Sequence, residues 1–144
     1  MQILKNTQIY APKQASGKPS FSYFPITNIF NAVTISSSLY FSFSGITINS
    51  KENGCNAWFC PYTCKLQEVQ ITIDDTALTS GTLEVVSENS GVIGSNAIVG
   101  GTGMVTIQID IDATINSEEW VSIWMNDRVG SYDLYSVTGV FYFT

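Results

Sequence analysis

Histidine is absent from all 144 residues. With it go the most used general base, the usual Ser–His and Cys–His nucleophile systems and the commonest metal ligand. Charge is scarce as well. Asp, Glu, Lys and Arg make up 12% of the chain, about half the usual share of roughly 25%. No apolar run approaches the length of a membrane-spanning helix, which requires about 20 residues. No segment carries a sustained 3.6-residue period, and no motif recurs at a fixed spacing, so a helical bundle, a solenoid and a propeller are all disfavoured. Met1-Gln2-Ile3-Leu4-Lys5 has neither the apolar core nor the cleavage site of a secretory leader, so synthesis and retention in a reducing cytoplasm are expected, with release inside an assembled particle as one way out.

The thiols are too few for the usual zinc or redox sites. Cys55, Cys60 and Cys64 are the only three cysteines, spaced C-x4-C-x3-C. Structural zinc generally takes four ligands, often in C-x2-C pairs, and redox motifs use C-x-x-C. Buried, reduced cysteines packing as small apolar groups are the expectation, with an internal disulfide open to the chain if it meets oxidising surroundings.

What the chain does have is Ser, Thr, Asn and Gln at its polar positions, and many aromatic and β-branched residues. That composition favours an ordered, strand-rich domain over disorder. Residues 1–25 read as an extended arm, because Pro12, Pro19 and Pro25 remove backbone donors and Gly17 adds freedom. Beyond Phe30 come strands at short, regular spacing. Leu39–Ile48 alternates Leu39, Phe41 and Phe43 against Tyr40, Ser42 and Ser44, with a bend at Gly45. Leu66–Ile73 sets Gln67, Val69, Ile71 and Ile73 against Leu66, Glu68, Gln70 and Thr72. Thr82–Ser87 ends at an Asn89-Ser90-Gly91 turn, and Val92–Val99 reads as strand interrupted by Gly94-Ser95-Asn96. Val105, Ile107, Ile109 and Ile111 alternate with Thr106, Gln108, Asp110 and Asp112 in the clearest period of two. Trp120–Met125 and Leu134–Phe143 close the set. The expected fold is all-β: a jelly-roll-like antiparallel sandwich of about eight strands over residues 26–144, preceded by the arm.

Candidate chemistry is thin. Asp110 and Asp112 share one face of a strand and could both point at a ligand. Asp74-Asp75 and Glu118-Glu119 fall at strand ends or turns. No spacing selects a catalytic carboxylate pair or a calcium loop. Gly100-Gly101-Thr102-Gly103 looks like a phosphate cradle, but it lacks the Gly-Lys-Ser/Thr ending and reads as a hairpin connection. Trp120 and Trp124 fall on one strand face with Ser122 between them; with Trp58 they would make a sugar-stacking platform, and core packing accounts for them equally well. The chain is therefore expected to be a binding protein and not an enzyme, without metal or cofactor.

The charge layout suggests how it binds. Lys5, Lys13 and Lys18 sit in the first twenty residues, where no acid occurs, whereas the remainder sets Lys51, Lys65 and Arg128 against all 12 acids. A basic arm on an acidic body is suited to lying on another copy or on an acidic scaffold, with an ordinary solvated terminus as the plain alternative. The lysines would steer it, and Phe21, Tyr23 and Phe24 would anchor it. Nucleic acid is disfavoured as a partner of the acidic body, and no membrane association is expected.

From residue 58 onward the order of features resembles the small β-sandwich domains of tailed-bacteriophage virion proteins, found in head decoration, fibre and receptor-binding tip proteins. The likeness rests on the run Trp58-Phe59-Cys60-Pro61-Tyr62-Thr63-Cys64-Lys65-Leu66-Gln67-Glu68-Val69-Gln70-Ile71, the strand Leu83–Val86 ending in Asn89-Ser90-Gly91, the acidic turn Ser117-Glu118-Glu119 before Trp120, and the closing strand Val137–Phe143. Glu118-Glu119 stands where that family commonly has Gly-Asp. The resemblance implies a structural virion protein, made in the host cytoplasm and carried on the particle. A capsid decoration or cement protein is the first expectation, bound to other virion proteins and forming a homo-oligomer, with a trimer among the possibilities. A tail-associated receptor-binding or fibre protein is the alternative within that class. A carbohydrate-binding module is a second alternative, and a carboxylate-dependent hydrolase comes last.

Overall fold

The structure is a computed structural model that describes residues 23–47 and 58–142. Ten strands occur among those residues: β1 (Tyr23–Ile35), β2 (Tyr40–Ser42), β3 (Gly45–Thr47), β4 (Trp58–Phe59), β5 (Cys64–Asp74), β6 (Leu78–Ser87), β7 (Gly91–Val99), β8 (Met104–Ile115), β9 (Trp120–Gly130) and β10 (Tyr132–Tyr142). They form two antiparallel sheets. The first has the order β1-β10-β5-β8, and the second runs β3-β2-β9-β6-β7 with β4 paired to β9.

The pairing is nested. β1 pairs with β10, β2 with β9, β5 with β8 and β6 with β7. The chain thus behaves as one long hairpin that has been rolled up, with further contacts β10–β5 and β9–β6 closing the roll. This is the jelly-roll arrangement. Strand direction gives the sandwich two ends. The β5–β6 turn, the β7–β8 loop and the β9–β10 turn meet at one, which we call the Asp75 end. The β6–β7 and β8–β9 turns and the segment between β4 and β5 meet at the other, the Glu119 end.

Alternation in β8 explains why this strand is so regular. Ile107, Ile109, Ile111 and Ile115 are buried, while Thr106, Gln108, Asp110, Asp112 and Thr114 are exposed. Facing them across the sandwich are Leu83, Val85, Val121, Ile123 and Met125 from the second sheet, all in one continuous core. At the Glu119 end that core becomes aromatic. Phe43 sets its ring edge-on to Phe141 at 5.5 Å and to Trp58 at 5.6 Å, and Trp58 lies 4.7 Å from Phe141.

Four sequence readings change. β1 begins at Tyr23, two residues ahead of the arm boundary placed at Pro25, and Pro25 itself pairs with Val140. Pro is accommodated because β1 is an edge strand. Leu39–Ile48 is not one strand: β2 and β3 form a tight hairpin around Phe43 and Ser44, held by the Ser44 N–H donating to Ser42 Oγ at 3.3 Å. Side-chain–backbone turn chemistry wins over the run of alternating aromatics, and Tyr40, Phe41, Ser42 and Phe43 are all buried.

In β5 the register against β10 shifts between Leu66 and Glu68, which leaves Gln67 as the extra residue. Gln67 bulges outward, so that Leu66 joins Val69, Ile71 and Ile73 in the core instead of facing solvent with Glu68. β7 is continuous through Gly94-Ser95-Asn96, which pair with Val85, Glu84 and Leu83. Gly94 is there because a Cβ would lie 2.8 Å from Ile111 Cγ1 and 3.0 Å from Ile109 Cγ2. It lets the edge of the second sheet press against the edge of the first, where Asn96 Nδ2 donates to the Gln108 carbonyl at 3.3 Å.

Gly139 has the same role in the aromatic cluster. A Cβ at this position would come within 2.6 Å of Phe43 Cζ and 2.9 Å of Phe141 Cε2. Gly139→Ala should therefore destabilise the domain by about 1–3 kcal/mol, the usual cost of overpacking, as read from urea unfolding. An unchanged midpoint would mean that Phe43 swings aside freely.

Candidate binding surfaces

Two buried carboxylates organise the ends of the sandwich. Asp75 is 1% exposed. Its Oδ1 accepts the N–H groups of Thr102 at 2.8 Å and Gly103 at 2.7 Å, while its carbonyl accepts from Gly101 at 2.8 Å and Leu78 at 3.0 Å. The backbone of Gly101 (φ 85°) and Gly103 (φ 117°) turns those amides inward, a conformation open to glycine at little steric cost. The glycine-rich loop is thus an anion cradle whose anion is the chain's own carboxylate.

Glu119 does the same work at the far end. It is 3% exposed; Oε1 accepts the Asn116 N–H at 2.9 Å and Oε2 the Asn89 N–H at 3.1 Å. Glu88 reciprocates, with its N–H donating to the Trp120 carbonyl at 3.0 Å and its Oε1 accepting the Trp120 N–H at 3.3 Å. Both acids stood out in the sequence only as turn residues. The signal that would have found them is an acid at a strand end together with a distant loop rich in Gly or Asn, whose amides lack partners of their own.

The outer face of the first sheet is polar and ordered in rows. One row runs Thr27–Thr138–Gln70–Gln108 across four strands, and the next runs Pro25–Val140–Glu68–Asp110. Glu68 and Asp110 stand directly opposite each other, an unfavourable like-charge pair. Gln108 Nε2 spans them, 2.9 Å from Asp110 Oδ1 and 3.4 Å from Glu68 Oε1, and Gln70 Nε2 donates to Glu68 Oε2 at 2.6 Å. Asp112 projects beside them and pairs with Lys65 at 3.1 Å. Asp110 and Asp112 therefore do share a face, as the period of two requires, and Glu68 joins them from the neighbouring strand. Among the described residues no group of three or more Cys, Asp or Glu side chains is placed to hold a metal ion.

The tryptophans do not form one platform. Trp58 turns into the core, whereas Trp120 and Trp124 lie on the outer face of the second sheet. Trp120 is buried there opposite Phe59. Trp124 is half-buried, stacks on Tyr40 at 4.9 Å and donates its indole N–H to Glu84 Oε1 at 2.9 Å. Asn126 Nδ2 donates to the other Glu84 oxygen at 3.3 Å. Ser122, between the two tryptophans, is buried with its Oγ unpartnered.

Of the expected arm anchors, Tyr23 and Phe24 sit in β1, where Tyr23 lies 4.8 Å from Tyr142 and Phe24 5.4 Å from Phe141. Phe24 is thereby committed to the chain's own core. Lys5, Lys13, Lys18 and Phe21 lie outside the described residues. The strand into which they lead, β1, leaves the sandwich at the Glu119 end, one row from Glu68 and Asp110. Near that exit Phe59 and Tyr62 are exposed, at 50% and 66%.

No model of a known protein family matches the chain, and no curated protein sequence matches it.

Replacing Asp75 or Glu119 by Ala strands part-buried amides, and each change should cost about 1–2 kcal/mol in urea unfolding at neutral pH. Because the two sit at opposite ends, the double variant should lose close to the sum. A shortfall of more than about 1 kcal/mol would mean that the ends open together. Asp74 should add a small acid-sensitive contribution. The Thr76 hydroxyl, at 2.6 Å, and the Thr76 N–H, at 3.0 Å, hold its carboxyl below the usual carboxylate range. Its contribution is therefore full above the unfolded pKa and is lost as pH falls through the lowered folded one. Asp74→Asn should flatten stability against pH in that acidic window alone.

Proposed function

We propose that this protein is a structural component of a bacteriophage particle that works by binding other proteins, with a head decoration or cement role as the leading form. The observation that carries the reading is the charge arrangement around β1. A segment with three lysines and no acid leads into an edge strand, and farther across the outer face of the same sheet, beyond β10, stand Glu68 on β5 and Asp110 and Asp112 on β8. Two of those acids oppose each other directly, so a cation laid across them would relieve a repulsion already built into the fold.

A basic segment of one copy on the acidic face of the next gives a contact that repeats around a ring, as a homo-oligomer needs. The jelly roll adds support by analogy, since it recurs in viral capsid domains. The buried acids point the same way: Asp75 and Glu119 are engaged with backbone amides, which suits a rigid scaffold. In this reading the protein binds no nucleic acid and no membrane, performs no catalysis, and ends its path on the virion.

A second reading rests on a different surface. Trp124, stacked on Tyr40 beside the Glu84 carboxylate and the Asn126 amide, has the parts of a sugar-binding subsite, and jelly rolls also serve as lectins. It would make the protein a carbohydrate-binding module or a receptor-binding tail protein.

Deleting residues 1–22 should leave a folded sandwich, because β1 begins at Tyr23, and should abolish or greatly weaken self-association and incorporation into particles. Glu68→Gln with Asp110→Asn should weaken assembly in the same direction, and raised salt should mimic both. Assembly unchanged by the deletion would overturn the arm-docking mechanism. Counting copies per particle separates the forms: hundreds mean decoration, a few to a few dozen mean tail. Binding to a glycan array that is lost in Trp124→Ala would favour the second reading.

A further inference from the structure

Cys60 and Cys64 bracket a three-residue loop, Pro61-Tyr62-Thr63, at the Glu119 end. Both thiols are free and buried, and their sulfurs stand 3.3 Å apart. A disulfide needs about 2.05 Å, so closing the gap takes a movement of about 1.3 Å shared between two side chains. Cys60 Sγ also lies 2.7 Å from the Tyr62 carbonyl, which takes its single S–H proton. The hydrogen between the sulfurs therefore belongs to Cys64 and points at Cys60. Burial and that hydrogen bond push the Cys64 thiol up to about 12, so Cys64 is held as the thiol.

The surroundings fix the geometry independently of the thiols. Cys60 N–H donates to the Glu119 carbonyl at 3.0 Å, and its own carbonyl accepts from the Glu118 N–H at 2.6 Å. Ser117 donates from Oγ to the Pro61 carbonyl at 3.2 Å and from its N–H to Thr63 Oγ1 at 3.1 Å. Cys64 begins β5, paired with Ile115. Both ends of the loop are thus anchored to the β8–β9 turn, and the sulfurs meet because the backbone brings them together.

We propose that Cys60 and Cys64 form a latent disulfide clasp that closes when the protein passes from reducing to oxidising surroundings. The oxidant is a low-molecular-weight disulfide. One thiolate, freed by transient opening of the loop, attacks it, forms a mixed disulfide and releases one thiol. The second protein thiolate then attacks the cysteine sulfur of the mixed disulfide and expels the other small thiol. Two protein thiols lose two electrons and two protons; one small disulfide gains them and becomes two thiols. The clasp locks the loop carrying the exposed Tyr62 at the end of the sandwich where β1 departs. Cys55 is left as the free thiol. The clasp does not depend on which partner the protein binds.

The test uses the full chain, purified reduced and then incubated with oxidised glutathione, alkylated after denaturation and weighed intact. Two of three thiols should resist alkylation, the mass should fall by two hydrogens, and peptide mapping should join Cys60 to Cys64. Cys55→Ala should close the same bond, whereas Cys60→Ala and Cys64→Ala should carry at most a mixed glutathione disulfide. The oxidised form should melt roughly 5 °C higher. Three alkylated thiols in the oxidised wild type, or a bond mapped to Cys55, would overturn the proposal. Wild type and Cys55→Ala decide the matter even if the other variants fold poorly.

Discussion

A rolled-up hairpin has its strands secured by their neighbours, but its turns meet only by coincidence of length. In this domain a buried carboxylate removes that coincidence at each end. Asp75 ties the β5–β6 turn to the β7–β8 loop, and Glu119 ties the β8–β9 turn to the β6–β7 turn. A charged acceptor is used where a neutral one would also fit, because charge-assisted bonds are about twice as strong and suffer most when broken. The rest depends on those ties. The bulge at Gln67, the close approach at Gly94 and the aromatic cluster around Phe43 all require strands that cannot slide.

The strands themselves were legible in the sequence wherever one face met the core and the other met water. β8 is the clearest case, since every outward residue from Thr106 to Thr114 is polar or small. Two of the failures share a cause. Gly94-Ser95-Asn96 looked like a break because glycine and asparagine usually end strands, yet the space that Gly94 leaves is filled from a different strand. Leu66 looked misplaced because a bulge changes which face a residue takes, and the period of two cannot register an added residue. The hairpin at Phe43–Ser44 was hidden by aromatics that kept alternating through the turn. For Gly94 and Leu66 the deciding contact lies far away along the chain, whereas the hairpin turns on the local bond from the Ser44 N–H to Ser42 Oγ.

The candidate surfaces were legible to a lesser degree. Asp110 and Asp112 were placed together by spacing alone, but Glu68, which completes the acidic row, comes from β5 through cross-strand register. Trp120 and Trp124 share the face that their spacing gives them; what separates them is burial, which reflects Phe59 and Tyr40 arriving from other strands. Tyr23 and Phe24 read as anchors for a partner because their own partners, Tyr142 and Phe141, lie at the opposite extreme of the sequence.

The pairing of β1 with β10 has one more consequence. Tyr23 and Tyr142 are register partners, so any polypeptide joined ahead of the one and any joined after the other leave the domain side by side. Linking them through a short hairpin loop and cutting instead at the opposite end, in the β9–β10 turn, would give a circular permutant that keeps the strand pairings. Read the other way, the fold is an insertable module: spliced into a loop of a larger host protein, it would demand a gap only about one strand spacing wide.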